Sequence, residues 1–182
     1  MTAQPATPSQ TVGPFFHDCL LRDGARRDVV GTPGDGDARV RVHGLVLDGD
    51  GAGVPDAVIE VWQTDGGFAR IGTDERGAFA FTTVEPRPLS FDGTSLQAPH
   101  LSVAVFARGL LNHLLTRIYF EDQSATSTDP ILCLVPETRR RTLIARREPV
   151  EREESLTRSY RFDIVLQGDG ETVFFDFKPS SR

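Results

Sequence analysis

From Arg39 onward, apolar and polar residues alternate in short runs separated by turn residues. In Arg39-Val40-Arg41-Val42-His43-Gly44-Leu45-Val46-Leu47 the alternation sends Val40 and Val42 to one face, as in a half-buried strand. Leu45 and Leu47 fall on the other phase, so a bulge at Gly44 is expected to bring them to the core. Further runs of strand character cover residues 57–63, 77–84, 100–107, 115–120, 142–145, 160–166 and 172–177. Asp48-Gly49-Asp50-Gly51, Asp65-Gly66-Gly67, Asp74-Glu75-Arg76-Gly77, Pro86-Arg87-Pro88 and Gly168-Asp169-Gly170 punctuate them with turn chemistry. Strands in series with few helical stretches predict a β-sandwich or barrel; the alternating long helices that a parallel α/β sheet needs are missing from the pattern.

The ends of the chain read differently. Residues 1–11 are rich in Thr, Pro and Gln, and Gly31-Thr32-Pro33-Gly34-Asp35-Gly36-Asp37 is turn chemistry throughout, so the first 35 or so residues predict irregular structure. Phe15, Phe16, Leu20 and Leu21 place apolar beads along that stretch, which suits an arm lying across another surface. Residues 136–143 predict one short helix opened by Pro136, with Arg139, Arg140 and Arg141 on a solvated face. Residues 149–157 are charged and polar, an exposed loop. Neither an internal repeat nor an interdomain linker is visible.

Composition narrows the function. At 182 residues with 38% hydrophobic content the chain suits one folded domain. Twenty Lys+Arg against 26 Asp+Glu give a net charge of −6, a poor match for nucleic acid or a membrane surface. Met1 to Gln10 lacks the basic-then-apolar pattern of a secretory signal and no run reaches the length of a membrane helix, so the cytoplasm is the expected location. Two cysteines, Cys19 and Cys133, supply neither a disulfide framework nor a four-cysteine zinc site; their apolar neighbours predict buried, inert thiols. There is no Gly-x-Ser-x-Gly elbow, no dinucleotide fingerprint and no phosphate-binding loop.

Four His and two Tyr stand beside twelve Phe, so imidazole and phenolate ligands are scarce. His100 and Ser102 point to one face of a strand, where a second histidine would make a two-ligand arm; serine breaks it, and His100 reads as a structural hydrogen-bonding residue. Arg108, in Phe106-Ala107-Arg108-Gly109, closes an apolar strand beside a turn glycine and can offer a planar fork to a carboxylate or form a surface salt bridge. In Thr11-Val12-Gly13-Pro14, glycine permits close backbone approach to a ligand and proline stiffens the segment; by itself it is a loop.

Several segments in order resemble the intradiol ring-cleaving dioxygenases, and within them the iron-free α chain of the two-chain enzymes. They are Thr7-Pro8-Ser9-Gln10-Thr11-Val12-Gly13-Pro14-Phe15, Ile59-Glu60-Val61-Trp62-Gln63-Thr64-Asp65 and Ala98-Pro99-His100. Phe106-Ala107-Arg108-Gly109, Leu115-Thr116-Arg117-Ile118-Tyr119-Phe120, Tyr160-Arg161-Phe162-Asp163-Ile164 and Gly170-Glu171-Thr172-Val173-Phe174-Phe175-Asp176-Phe177 continue the series. The resemblance implies an all-β fold, an antiparallel β-sandwich of prealbumin or immunoglobulin type, over residues 37–182, with an extended N-terminal arm over 1–36 and one short helix. It implies a hetero-oligomer of αβ units in which a homologous β chain binds Fe(III) through two Tyr and two His and cleaves protocatechuate with O₂ to 3-carboxy-cis,cis-muconate. Here the Pro-Ala-His-x-His segment of the iron-binding chain reads Ala98-Pro99-His100-Leu101-Ser102. One tyrosine position falls near Leu89, and the other in a short loop, residues 63–71, that contains no Tyr. The resemblance therefore implies no metal and no catalytic residue in this chain, and an isolated chain without activity. Thr11, Gly13 and Pro14 would line the partner's substrate pocket and Arg108 its charged rim, while Phe15 stands where relatives can carry Tyr. Two rivals are a non-catalytic β-sandwich scaffold module and a self-sufficient hydroxyquinol- or catechol-type dioxygenase; the missing ligands oppose the second.

Overall fold

The computed structural model describes residues 11–13, 18–22, 27–31, 39–64, 66–149 and 157–176. Their strands are β1 Val29–Val30, β2 Arg39–Leu47, β3 Val58–Trp62, β4 Phe68–Gly72, β5 Ala78–Val84 and β6 Leu89–Ser90. These are followed by β7 Leu96–Gln97, β8 His100–Phe106, β9 Leu114–Phe120, β10 Ile144–Glu148, β11 Thr157–Arg161 and β12 Ile164–Val165. A 10-stranded sheet runs in the order β1-β5-β2-β11-β10-β9-β8-β3-β4, with β12 also on β2; β6 and β7 form a separate hairpin. At the two ends of that order Arg27, just before β1, and Arg70 of β4 exchange backbone hydrogen bonds of 3.0 and 2.8 Å. The sheet is thereby almost closed into a barrel.

The chain is all-β as expected, but it is not the purely antiparallel, immunoglobulin-like sandwich. Strand β10 pairs parallel to β9 through Ile144 and Ala145, then antiparallel to β11 through Arg146 to Glu148, and so stitches the two halves into one sheet. Strands β11 and β12 run parallel to β2, and β1 runs parallel to β5. Alternation along a strand reports the face each side chain takes and carries no information on the direction of the neighbour.

The interior is apolar on every wall, including Val40, Val42 and Val46 of β2, Ile59 and Val61 of β3, Phe79 and Phe81 of β5, Leu101 and Val103 of β8, and Ile118 of β9. Strand β2 keeps one phase throughout, with Val40, Val42, Gly44 and Val46 buried and Leu45 and Leu47 only partly so. Its register with β5 is unbroken from Arg39 to Leu45, so the expected bulge does not form. Gly44 instead allows Phe162 to approach: a Cβ there would overlap the Phe162 carbonyl.

A second cluster, Ala98, Tyr119, Leu132, Val135 and Leu143, fills the space between β9 and the helical stretch that covers its outer side. That stretch holds 3₁₀ turns at Ser124–Thr128, Leu132–Leu134 and Arg141–Leu143 around the short helix Glu137–Arg140, which follows Pro136. Arg140 is not solvated as expected; its guanidinium turns back to donate to the carbonyls of Val135 at 2.9 Å and Cys133 at 3.0 Å. The two cysteines, expected to be buried, are both exposed. In the Leu132–Leu134 turn, Leu132 points inward while Cys133 and Leu134 face out, so apolar neighbours in sequence did not mean burial. Residues 63–71, expected to be a loop, contain most of β4, whose inward face is only Ala69 and Ile71. The strand expected over 172–177 reduces to a bridge between Phe175 and Leu115. Among the described residues no helix is long and apolar enough to cross a membrane.

Candidate functional site

The two ends of β8 carry the residues singled out by the sequence. At its exit Ala107 is buried, and the chain then turns through Arg108 and Gly109. Gly109 has φ +85°, in the left-handed region that favours glycine, and its N–H donates to Thr11 Oγ1 at 2.8 Å. This one hydrogen bond ties the N-terminal arm to a turn 98 residues further along. The next arm residue, Val12, contributes to a cleft of about 220 Å³ with Phe106, Leu110, Leu111 and His113. Gly13 is exposed, and a Cβ added to it would meet nothing within 4 Å, so no contact with the described residues requires glycine there. Pro14 lies outside the described residues, as does Phe15.

Arg108 is 61% exposed and ion-paired with Asp56, which precedes β3. Their meeting follows from register. The last pair of the β3–β8 ladder is Val58 with Phe106, and Asp56 and Arg108 lie two residues beyond it on each strand. The turn that bears Asp56 is pinned by Thr73, whose Oγ1 donates to the Val54 carbonyl at 2.7 Å and accepts from the Ala57 N–H at 3.0 Å. The second carboxylate oxygen of Asp56, Oδ1, is buried without a hydrogen-bond partner. Asp56 was not among the residues the sequence suggested. Nothing local marks it, because its partner becomes a neighbour only through strand pairing.

At the start of β8, His100 is 5% exposed and Ser102 is exposed, and the two share the face turned away from the barrel interior. His100 Nδ1 lies 2.8 Å from the Ala98 carbonyl, an acceptor, so Nδ1 carries the proton. Burial pushes the imidazole pKa down, and the Arg117 charge adds to this against the bond to Ala98. The ring lies tilted by 36° against Tyr119, its cross-strand neighbour, with centroids 5.6 Å apart. Tyr119 donates its phenol proton to Asp129 Oδ1 at 2.9 Å and accepts from Arg117 Nη1 at 3.2 Å. Asp129, 0% exposed, also accepts from the backbone N–H groups of Ala98, Ile131 and Leu132 at 2.7, 3.0 and 2.7 Å. Burial first, and Asp129 after it, push the Tyr119 pKa up. Tyr160 shares this state: its hydroxyl donates to Asp122 at 2.9 Å and burial pushes its pKa up to about 12.

These residues do not fit a ferric ion. Such a site draws on phenolates and several imidazoles, whereas here both phenols are held protonated by aspartates, and among the described residues the one buried imidazole shares its strand face with Ser102 rather than a second histidine. Among the described residues no three His, Cys, Asp or Glu converge. Leu89 opens the β6 strand, and the chain between Gln63 and Gly67 closes on itself with N–H to carbonyl bonds of 2.8 and 3.1 Å.

A barrel-like mixed sheet whose N-terminal segment returns to the exit of β8 defines a class, and comparison with known proteins places the chain in it. The dioxygenase family matches residues 13–168, and the chain belongs to the intradiol dioxygenases. It is similar to the protocatechuate 3,4-dioxygenase α chain of Burkholderia cepacia, with 39% identity over 97% of this chain and 100% of that one. The corresponding β chain of Burkholderia cepacia is 27% identical over 90% of this chain and 77% of its own length. Among solved structures, catechol 1,2-dioxygenase from Acinetobacter sp. ADP1 superposes with a TM-score of 0.64 at 18% identity, over 83% of this chain and 60% of that longer one. At that identity the likeness speaks for the fold alone.

Proposed function

We propose that this chain is the α chain of a protocatechuate 3,4-dioxygenase, completing the substrate pocket of a homologous β chain that holds the Fe(III). In this reading the N-terminal segment ahead of Arg27 serves as an arm reaching the partner, and the barrel, with Arg27 and β1 in its wall, as the body, assembled as αβ units. The partner's iron supplies the activation of the catechol toward O₂; ring opening between the two hydroxylated carbons then gives 3-carboxy-cis,cis-muconate, both oxygen atoms entering the product. The residues of this chain bind and orient. Arg108 presents a largely exposed guanidinium to the ring carboxylate, where a charge-assisted, bidentate contact favours the anionic substrate. Thr11 fixes the arm against that turn, and Gly13, with open space where a side chain would be, leaves room for a ring or a partner to approach. Pro14 would stiffen the segment that follows.

The observation that carries this reading is the Thr11–Gly109 hydrogen bond, which brings the arm and the Arg108 turn to one place. The reading is tested by purifying the chain alone and together with its β partner. The expected outcome is an iron-free, inactive isolated chain and an active complex that contains iron. Stoichiometric ferric iron and protocatechuate cleavage by the isolated chain would overturn it.

A further inference from the structure

We infer that Asp56 is a positioning residue that sets the specificity of the pocket rim for a carboxylate-bearing catechol by holding Arg108 from its Nε side. The inference rests on the reading of Arg108 given above and deepens it. An exposed arginine samples many rotamers, and a ligand that recruits it must order it first. Asp56 removes that freedom. Its carboxylate sits on a turn pinned by the buried Thr73 and continues the β3–β8 register, so its place is set by the sheet. Its Oδ2 engages Arg108 at Nε. Among the described residues no other group engages this guanidinium, so the Nη donors remain for a ligand. The fork of an arginine suits this division, one edge for a protein carboxylate and its end for a second anion.

The unpartnered Oδ1 points the same way. A buried carboxylate oxygen without a donor is costly unless something in the working protein reaches it. A second N–H of the same guanidinium, brought in as the fork closes on a bound carboxylate, supplies that donor. Asp56 also offsets the charge of Arg108, so a role through charge alone and a role through position predict opposite signs. If the carboxylate of Asp56 acted only by weakening the positive rim, removing it would improve binding of an anionic ring. If it positions the fork, removing it impairs that binding.

The test uses the assembled αβ complex and compares protocatechuate with catechol, which lacks the ring carboxylate. Asp56→Ala is expected to lower the ratio of kcat/KM for protocatechuate to that for catechol by about tenfold, mainly through KM, and Asp56→Asn by about threefold, since a neutral acceptor is roughly half as strong as a charged one. In an Arg108→Ala background the Asp56 substitutions should change the ratio no further. Should Asp56→Ala fail to assemble, the isosteric Asp56→Asn decides by its threefold effect. An unchanged or increased ratio in the Asp56 variants, with Arg108→Ala lowering it, overturns the inference and leaves the reading of Arg108 in place. A ratio that Arg108→Ala also leaves unchanged overturns that reading, and the inference with it.

Discussion

The start and the exit of β8 lie on one strand and have opposite chemistry. At the start, the buried groups bond one another inside the chain: His100 Nδ1 with Ala98, Tyr119 with Asp129 and Arg117, and Asp129 with three backbone N–H groups. At the exit, Arg108 is largely exposed and, among the described residues, held by one carboxylate, while the Gly109 N–H receives the arm at Thr11. The first arrangement can hold the fold together, its phenol, carboxylate and imidazole Nδ1 all committed to partners within the chain. The second adds little to stability and leaves donors facing outward. A tyrosine beside a histidine is therefore not evidence of a metal site until the destination of the phenol proton is known.

Three substitutions can break this contrast. The largest effect belongs to the closed end. Asp129→Ala strands three backbone donors and the Tyr119 hydroxyl in a buried site, and is expected to cost about 3–5 kcal/mol in chemical denaturation. A loss below about 1 kcal/mol would mean that water replaces the carboxylate and that the site is open after all. At the exit, Arg108→Ala should cost less than about 1 kcal/mol, because the guanidinium is largely exposed even though Asp56 is mostly buried. In the αβ complex the same substitution should lower kcat/KM for protocatechuate roughly tenfold. A stability loss comparable to that of Asp129→Ala would make Arg108 a structural residue.

The smallest effect is a pH dependence. Burial holds the His100 pKa below the ordinary value of 6.5, so as pH falls the unfolded chain takes up this proton before the folded one does. The stability contributed by the neutral ring is complete above that ordinary value and declines as pH falls through the lower folded one. Denaturation of wild type and His100→Gln between about pH 7 and pH 5 should show a shallower decline in the variant. Equal slopes would mean that the folded ring takes up its proton as readily as the unfolded one, and that burial does not lower its pKa.

The strands around the site were legible in advance because each carries its own alternation. Residues 100–107 and 115–120 contain β8 and most of β9, and the turn chemistry around Gly109 marks the exit. Less was visible where the signal is short. The two residues of β1 and the pair Ala69 and Ile71 in β4 make too little pattern to stand out from a loop. Asp56 and Asp129 look like ordinary turn residues in the sequence. One becomes an anchor for Arg108 and the other a buried acceptor only because distant segments meet there.

The order of apolar and polar residues by itself determined that this chain is built from strands, that its imidazoles and phenols are few, and that an arginine closes β8. Those properties are local: a side chain's face depends on its neighbours in sequence, and composition needs no geometry. Only the tertiary structure decided that the sheet is mixed and nearly closed, that both tyrosines keep their protons, and that Thr11 meets Gly109. Pairing direction, burial and protonation depend on which groups come together across the chain. A side chain's role is set by what lies opposite it once the barrel has formed.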